Sequence, residues 1–337
     1  MPAEWHPHSA CWMAWPGHMA MPHDDERRAV LADLSGIAHA ISAFEPLCVA
    51  VDPEVIDEAR HALPDGAALH AMPVDDHWMR DIGPTFVTDA DGTPHAIRWN
   101  FNVWGGKAMP SSGADARVAT HVAQAVGVRS KAAPIVAEGG SLHVDGEGTL
   151  LVAETSILNE NRNPGLTRRE ADDVFRHWLG ATHVVWVPGS TLDWITDGHI
   201  DGTACFVRPG VLLATDAHGH DEWAREAKEN LKALRSARDA KGRSFEIGLL
   251  PSPDADELPA ALVDDPDFAP DYVNFYLPNG GVVLAQFGDA SSDAVARDIV
   301  QQAFPQRRVV QTPITAIARR GGGIHCCTQQ QPVDVSL

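Results

Sequence analysis

Apolar positions along this chain alternate between two periods. Segments 10–15, 85–99, 141–154, 203–215 and 273–287 carry the continuous or every-second apolar pattern of strands. Four of these segments are broken by Asp89-Ala90-Asp91-Gly92, Asp145-Gly146-Glu147-Gly148, Arg208-Pro209-Gly210 and Pro278-Asn279-Gly280-Gly281. Such residues accept turns and positive φ, so the four segments are predicted to be hairpins. Each strand segment is followed by apolar residues three and four apart. In 24–44 these are Val30, Leu31, Leu34, Ile37 and Ile41, and 114–126, 167–179, 221–236 and 291–303 follow suit, which predicts five helices. Thr167 and Glu170 form a capping box at the start of the third. Short strands are then predicted at 47–51, 133–136, 183–187, 245–250 and 309–313.

A unit of hairpin, helix and strand therefore recurs about five times, at intervals of roughly 60 to 70 residues. Units of this type can close into a ring, which removes the exposed sheet edges of an open stack. No linker divides the chain, and 251–271 is predicted to be one long surface loop. The expected fold class is α/β: a single domain over residues 1–337, with its repeats arranged as a ring. A doubly wound sheet is the alternative. It needs long crossover helices and few hairpins, so the repeated turns count against it.

Composition narrows the function. Hydrophobic residues make up 44% of the chain, enough for a substantial core. No apolar run approaches the roughly 20 residues that span a membrane. Met1-Pro2-Ala3-Glu4-Trp5-His6 lacks the basic and apolar regions of a secretory signal, so a soluble cytoplasmic protein is expected. The five cysteines, Cys11, Cys48, Cys205, Cys326 and Cys327, are scattered and contain no C-x-x-C pair. That argues against a disulfide framework and against a thiolate zinc site. With 46 Asp+Glu against 26 Lys+Arg the formal charge is −20. Such a surface repels nucleic acid and anionic membranes and favours a cationic small molecule; it also serves solubility.

Four polar stretches and one aromatic-rich stretch could carry chemistry. Near the C-terminus, Arg319-Arg320-Gly321-Gly322-Gly323-Ile324-His325-Cys326-Cys327 delivers thiols on a glycine turn. A thiol so placed is a candidate nucleophile, or else a buried structural residue. Asp75-Asp76-His77-Trp78-Met79-Arg80-Asp81 packs three carboxylates that repel one another unless a cation lies among them, or forms a solvated loop with Arg80 paired internally. Glu138-Gly139-Gly140-Ser141 sets a carboxylate before a sharp bend, or is an ordinary turn. In Thr196-Asp197-Gly198-His199-Ile200-Asp201-Gly202, a strand would put His199 and Asp201 on one face as an acid/base pair, or the two form a satisfied hydrogen bond in a loop. The aromatic rings of 99–107 are read as core. A guanidinium fits this inventory, because two carboxylates can grip its forked N–H donors while a thiolate attacks its central carbon.

In their order along the chain, Trp78-Met79-Arg80-Asp81, Glu138-Gly139-Gly140, Asp197-Gly198-His199-Ile200-Asp201-Gly202 and Gly321-Gly322-Gly323-Ile324-His325-Cys326 resemble the agmatine deiminases. These belong to the guanidine-modifying (pentein) superfamily, with bacterial peptidylarginine deiminases as near relatives. Met1-Pro2-Ala3-Glu4-Trp5, Trp12-Met13-Ala14-Trp15-Pro16, Asn100-Phe101-Asn102, Trp104-Gly105-Gly106-Lys107, 158–164 and Thr328-Gln329-Gln330 extend the likeness to about Pro332. The resemblance implies a five-bladed α/β propeller with pseudo-fivefold symmetry. It implies Cys326 as nucleophile, His199 as general acid/base, Asp81 and Asp201 as grips on the guanidinium, Glu138 as a further site carboxylate and Trp78 as a pocket wall. Agmatine would yield N-carbamoylputrescine and ammonia through an amidino-cysteine, a step of polyamine biosynthesis, with no metal or organic cofactor.

This sequence departs from the family pattern at Cys327, at Ala108 and at Asp193-Trp194-Ile195, where Ile, Tyr and more acidic residues are expected. The last two flank the site and bear on the substrate tail. Another guanidino compound or peptidyl-arginine is therefore the alternative substrate. Cys327, in an extended strand, would point away from Cys326. Two other classes stay open. A metal-dependent amidohydrolase would draw on the 17 histidines, with His6-Pro7-His8 and His218-Gly219-His220 as ligand pairs. A non-enzymatic ring would bind a partner instead. The oligomeric state, homo-oligomer included, is left open.

Overall fold

The computed structural model describes residues 1–107, 109–216 and 221–333. The described strands form five separate sheets that repeat one pairing order. β1 (His8–Trp15) runs parallel to β2 (Leu47–Val51), which runs parallel to β3 (Ala68–Ala71). In the next sheet β4 (Thr85–Thr88) is antiparallel to β5 (Pro94–Arg98), and β5 is parallel to β6 (Arg129–Ala132). The same antiparallel-then-parallel order recurs in β7 (His143–Val144), β8 (Thr149–Ala153) and β9 (His183–Val187). It recurs again in β10 (Ala204–Arg208), β11 (Val211–Thr215) and β12 (Glu246–Leu250). β13 (Gly281–Gln286) is parallel to β14 (Arg308–Pro313), and Tyr276 makes an antiparallel bridge to Val283 in place of a first strand. Finally β15 (Gln329–Pro332) pairs antiparallel with β1, so the two ends of the chain share a sheet.

In each sheet a helix joins two parallel strands: β1 to β2, β5 to β6, β8 to β9, β11 to β12 and β13 to β14. These helices span Asp24–Ser42, Asp115–Ala125, Arg168–Leu179, Glu222–Ser236 and Ala290–Ala303. The predicted stripe of the first, Val30 to Ile41, is its buried face. The capping box at Thr167 and Glu170 forms as expected, and Asp221 and Asp289 cap the two later helices. β2 and β8 are buried at every position. Strands covered on both faces in this way read as unbroken apolar runs, which is why the pattern marks them.

Four expectations change. The strand expected at 133–136 forms at Arg129–Ala132, because β5 pairs with that polar, mostly exposed segment rather than with the apolar one after it. β3 and β15 were not anticipated: β3 has an exposed or half-buried face throughout, and β15 is mostly glutamine. The hairpin expected over 273–287 reduces to β13 and the Tyr276 bridge, because Asn274 is drawn towards Cys326. The loop 251–271 holds a short helix, Ala260–Val263.

Candidate active site

The glycine turn allows three groups to close on one another. A Cβ on Gly322 would lie 2.4 Å from the Trp78 ring, and one on Gly323 would lie 2.5 Å from Asn274 Oδ1. Glycine is thus required here for close approach. Beyond it the backbone turns instead of extending, with Cys327 N–H donating to Ile324 O at 3.2 Å. Cys327 therefore does not alternate with Cys326 across a strand; it is fully buried in the main apolar cluster. The Asn274 side chain holds Cys326 at both ends. Its Nδ2 donates to Sγ at 3.3 Å and its Oδ1 accepts from the Cys326 N–H at 3.3 Å. Burial, then the carboxylates of Asp201 and Asp81, push this thiol well above its ordinary range.

His199, Asp201 and Asp81 converge on one point. A Cβ on Gly140 would lie 2.6 Å from His199 Nδ1, 2.9 Å from Asp201 Oδ2 and 3.0 Å from Asp81 Oδ1. His199 and Asp201 do not alternate along a strand as expected. His199 caps a single helical turn, Ile200–Gly202, and Asp201 lies within it; the chain enters through Asp197 at φ 60° and Gly198 at φ 85°. His199 Nε2 lies 3.3 Å from Glu138 Oε2, and its Nδ1 lies 3.8 Å from Asp81 Oδ1. Burial disfavours its charge, but Asp81, Glu138 and Asp201 outweigh this and hold His199 at about 9. Asp81 is held above its ordinary range, mainly by burial and by Asp201 and Glu138; His199 and the Trp104 N–H oppose the shift. The three carboxylates expected to repel are in fact separated. Asp75 accepts from the N–H groups of Ser112 and Ala114, Asp76 pairs with Arg320 at 3.0 Å, and Asp81 alone of these reaches the site.

Supporting residues that sequence reasoning missed complete the arrangement. Trp104, read as core, donates Nε1–H to Asp81 Oδ2 at 2.9 Å from a backbone bent to positive φ at Val103 and Trp104. Positive φ at a β-branched residue is a true outlier and marks a segment held by its surroundings. Arg162 Nε donates to both Glu138 oxygens, at 2.8 and 3.0 Å, and its Nη2 donates to Thr196 O. His325 bridges Asp201, 2.8 Å from its Nδ1, and Glu4, 2.7 Å from its Nε2. Arg80 donates to Glu4 at 3.2 Å and to Gln330 at 2.8 Å, the internal pairing allowed for it.

A cavity of about 460 Å³ opens onto Cys326, His199 and Asp201, with Asp193, Ile195, Phe268 and Asp271 also in its wall. Trp78, expected as a pocket wall, lies behind this lining, against Gly322 and His77. The histidines offered as metal ligands are placed differently. His8 bonds Glu45 and Glu4 O, whereas His218-Gly219-His220 and Ala108 lie outside the described residues. Glu4, His143 and His325 do bring ligand atoms within 4.8 Å of one another, but Arg80 donates to the Glu4 oxygen that also faces His325. A bound cation would have to displace both.

The family model for Porphyromonas-type peptidyl-arginine deiminases matches residues 1–332. The chain belongs to this family. Relatives include the agmatine deiminase of Ectopseudomonas mendocina, 41% identical over 352 residues, covering 98% of this chain and 95% of that one. The agmatine deiminase of Stutzerimonas stutzeri is 40% identical over 351 residues, with the same coverage. Among solved structures, the agmatine deiminase of Enterococcus faecalis superposes with a TM-score of 0.87 at 29% identity, covering 98% of this chain and 95% of that one. Family membership covers all five sheets, so the resemblance read from short motifs extends to the whole mixed α/β architecture.

Proposed function

We propose that this protein is a cysteine-dependent guanidine deiminase that converts agmatine to N-carbamoylputrescine and ammonia. One observation carries the reading: Asp81, Asp201 and His199 come within about 3 Å of a single point beside a buried thiol. Two carboxylates converging near a thiol suit a planar cation, and relatives at about 40% identity over nearly the whole chain are agmatine deiminases.

The charge inventory supports a sequence of steps. Around Cys326, the carboxylates of Asp81, Asp201, Glu138 and Glu4 face Arg80, Arg162, His199 and His325. A guanidinium entering between Asp81 and Asp201 neutralises the two groups that raise the thiol. The Cys326 proton then passes to solvent in the cavity that opens onto the thiol, and the Asn274 amide stabilises the thiolate. Sulfur attacks the guanidinium carbon to give a tetrahedral adduct. His199, charged at neutral pH, gives a proton to one –NH2 group; the C–N bond breaks and ammonia leaves. Neutral His199 then takes a proton from water, whose hydroxide adds to the amidino carbon. The C–S bond breaks, leaving the ureido product and the thiol. Glu138, fixed by Arg162, orients the imidazole throughout. No step calls on a metal or an organic cofactor.

For the architecture, we read the five sheets as five blades of one closed α/β propeller spanning residues 1–337 with pseudo-fivefold symmetry. The repeated pairing order and the pairing of β15 with β1 support this.

The test is ammonia release and ureido product from agmatine, arginine and peptidyl-arginine. Agmatine should give the highest kcat/KM. Cys326→Ala should abolish turnover with the circular dichroism spectrum unchanged. Ammonia release by that variant at the wild-type rate would rule out the thiol mechanism.

A further inference from the structure

Of the carboxylates lining the cavity, Asp271 differs from the others in having no hydrogen-bond donor among the described residues. Only burial and the charges of Asp193 and Asp201 act on it. Its neighbours in the wall are engaged. Asp193 accepts from the N–H groups of Ile195, Thr196 and Gly198 and from the Thr196 hydroxyl. Asp221 caps a helix, Glu226 holds Ser190 and Thr191, and Asp267 accepts from Trp194. Asp216 also has a partner. No Lys or Arg is among the lining residues to balance this charge.

Asp271 is also tied to the reacting end. It opens the turn that closes on Asn274, whose N–H donates to Asp271 O at 3.4 Å and whose side chain holds Sγ. A Cβ on Gly202, next to Asp201, would sit 3.5 Å from Asp271 Oδ2. Ile195 and Phe268 add apolar surface to the same wall. Cation-gripping groups, apolar side chains and a carboxylate with no donor among the described residues thus share a single cavity.

We propose that Asp271 is the specificity residue that receives a second cationic group of the substrate, the distal ammonium of an α,ω-amino-guanidine. This inference rests on the deiminase reading above. Burial and the facing carboxylates of Asp193 and Asp201 push Asp271 up to about 7, so an ammonium beside it relieves a repulsion already present. The site thereby disfavours guanidines whose far end is a carboxylate.

The experiment compares agmatine with n-butylguanidine, which ends in a methyl group, and with 4-guanidinobutanoate, which ends in a carboxylate. Asp271→Asn should lower kcat/KM for agmatine about 10- to 100-fold, through KM. The same variant should leave butylguanidine within about threefold and improve 4-guanidinobutanoate, and Asp271→Glu should restore part of the agmatine preference. On the wild-type protein, KM for agmatine should rise as pH falls through about 7, while KM for butylguanidine should not. The latter reading needs no variant to fold. Equal losses on agmatine and butylguanidine, or parallel KM profiles, overturn the assignment of Asp271 and leave the deiminase reading intact. Wild-type protein that releases no ammonia from agmatine overturns both.

Discussion

Proton positions around Cys326 decide when it can react. In the proposed mechanism His199 must be charged to expel ammonia, and its neighbours hold that charge up to about 9. Because the protonated form is the active one, kcat should fall as pH rises through that value. A pH–rate profile in saturating agmatine checks this, and a fall already complete by pH 7 would remove His199 from the acid role. The same shift has a stability consequence. A base whose folded pKa exceeds its ordinary value of about 6.5 stabilises the fold fully below that pH and loses the contribution as pH rises to about 9. Asn274→Ala should lower kcat about 10- to 100-fold, the range for a hydrogen bond to a charged group. Alkylation of Cys326 should slow in step, since the thiolate loses its donor.

Turns and single helical turns, rather than the strands and long helices, position the proposed site groups, and such turns are harder to read in advance. The five helices and the middle strands were legible because burial imposes a period on their sequences. Cys326, His199, Asp81, Asp201 and Glu138 were legible because each stands next to glycine or in a dense polar stretch that ordinary packing does not explain. Asn274, Trp104 and Arg162 were not. Asn274 meets Cys326 across 52 positions, and Trp104 meets Asp81 across 23, so no local pattern marks either pair. The strand expected for His199 and Asp201 failed because alternation was assumed where a positive-φ residue bends the chain. Glycine is the readable part of such turns, and Gly140 tests it. A methyl group there falls 2.6 Å from His199 Nδ1, on a side chain fixed by Glu138. Gly140→Ala should cut kcat/KM at least about 100-fold, the scale of a roughly 1 Å misplacement, with thermal stability changed far less than for a core cavity. Activity within a few-fold of wild type would mean that the site yields, and that the convergence on this point is not functional.

At the scale of the whole molecule, the site depends on the first residues of the chain meeting the last. β15 pairs with β1, and this brings Glu4 across 321 positions to His325. Glu4 is buried beside His325, Arg80 and His143, and His325 and Arg80 foremost hold it well below the ordinary carboxylate range despite its burial. It sits two hydrogen bonds from the nucleophile's neighbourhood: Glu4 fixes His325, and His325 fixes Asp201. Removing its charge leaves Arg80 and His325 buried beside one another without their shared counter-ion. Breaking a buried pair in this way costs about 3–5 kcal/mol. Glu4→Gln preserves shape and removes only the charge, so its thermal midpoint should drop markedly. The drop should be larger at pH 6, where His325 is charged, than at pH 9, because a base raised by its partner contributes most below its ordinary pKa. Activity should fall in the same variant because Asp201 loses its positioning. Adding more agmatine should recover part of the rate if the guanidinium itself pulls Asp201 into place. A Glu4→Gln protein with wild-type melting at pH 6 and wild-type kcat/KM would show that the pairing of β1 with β15 does not support the site through Glu4.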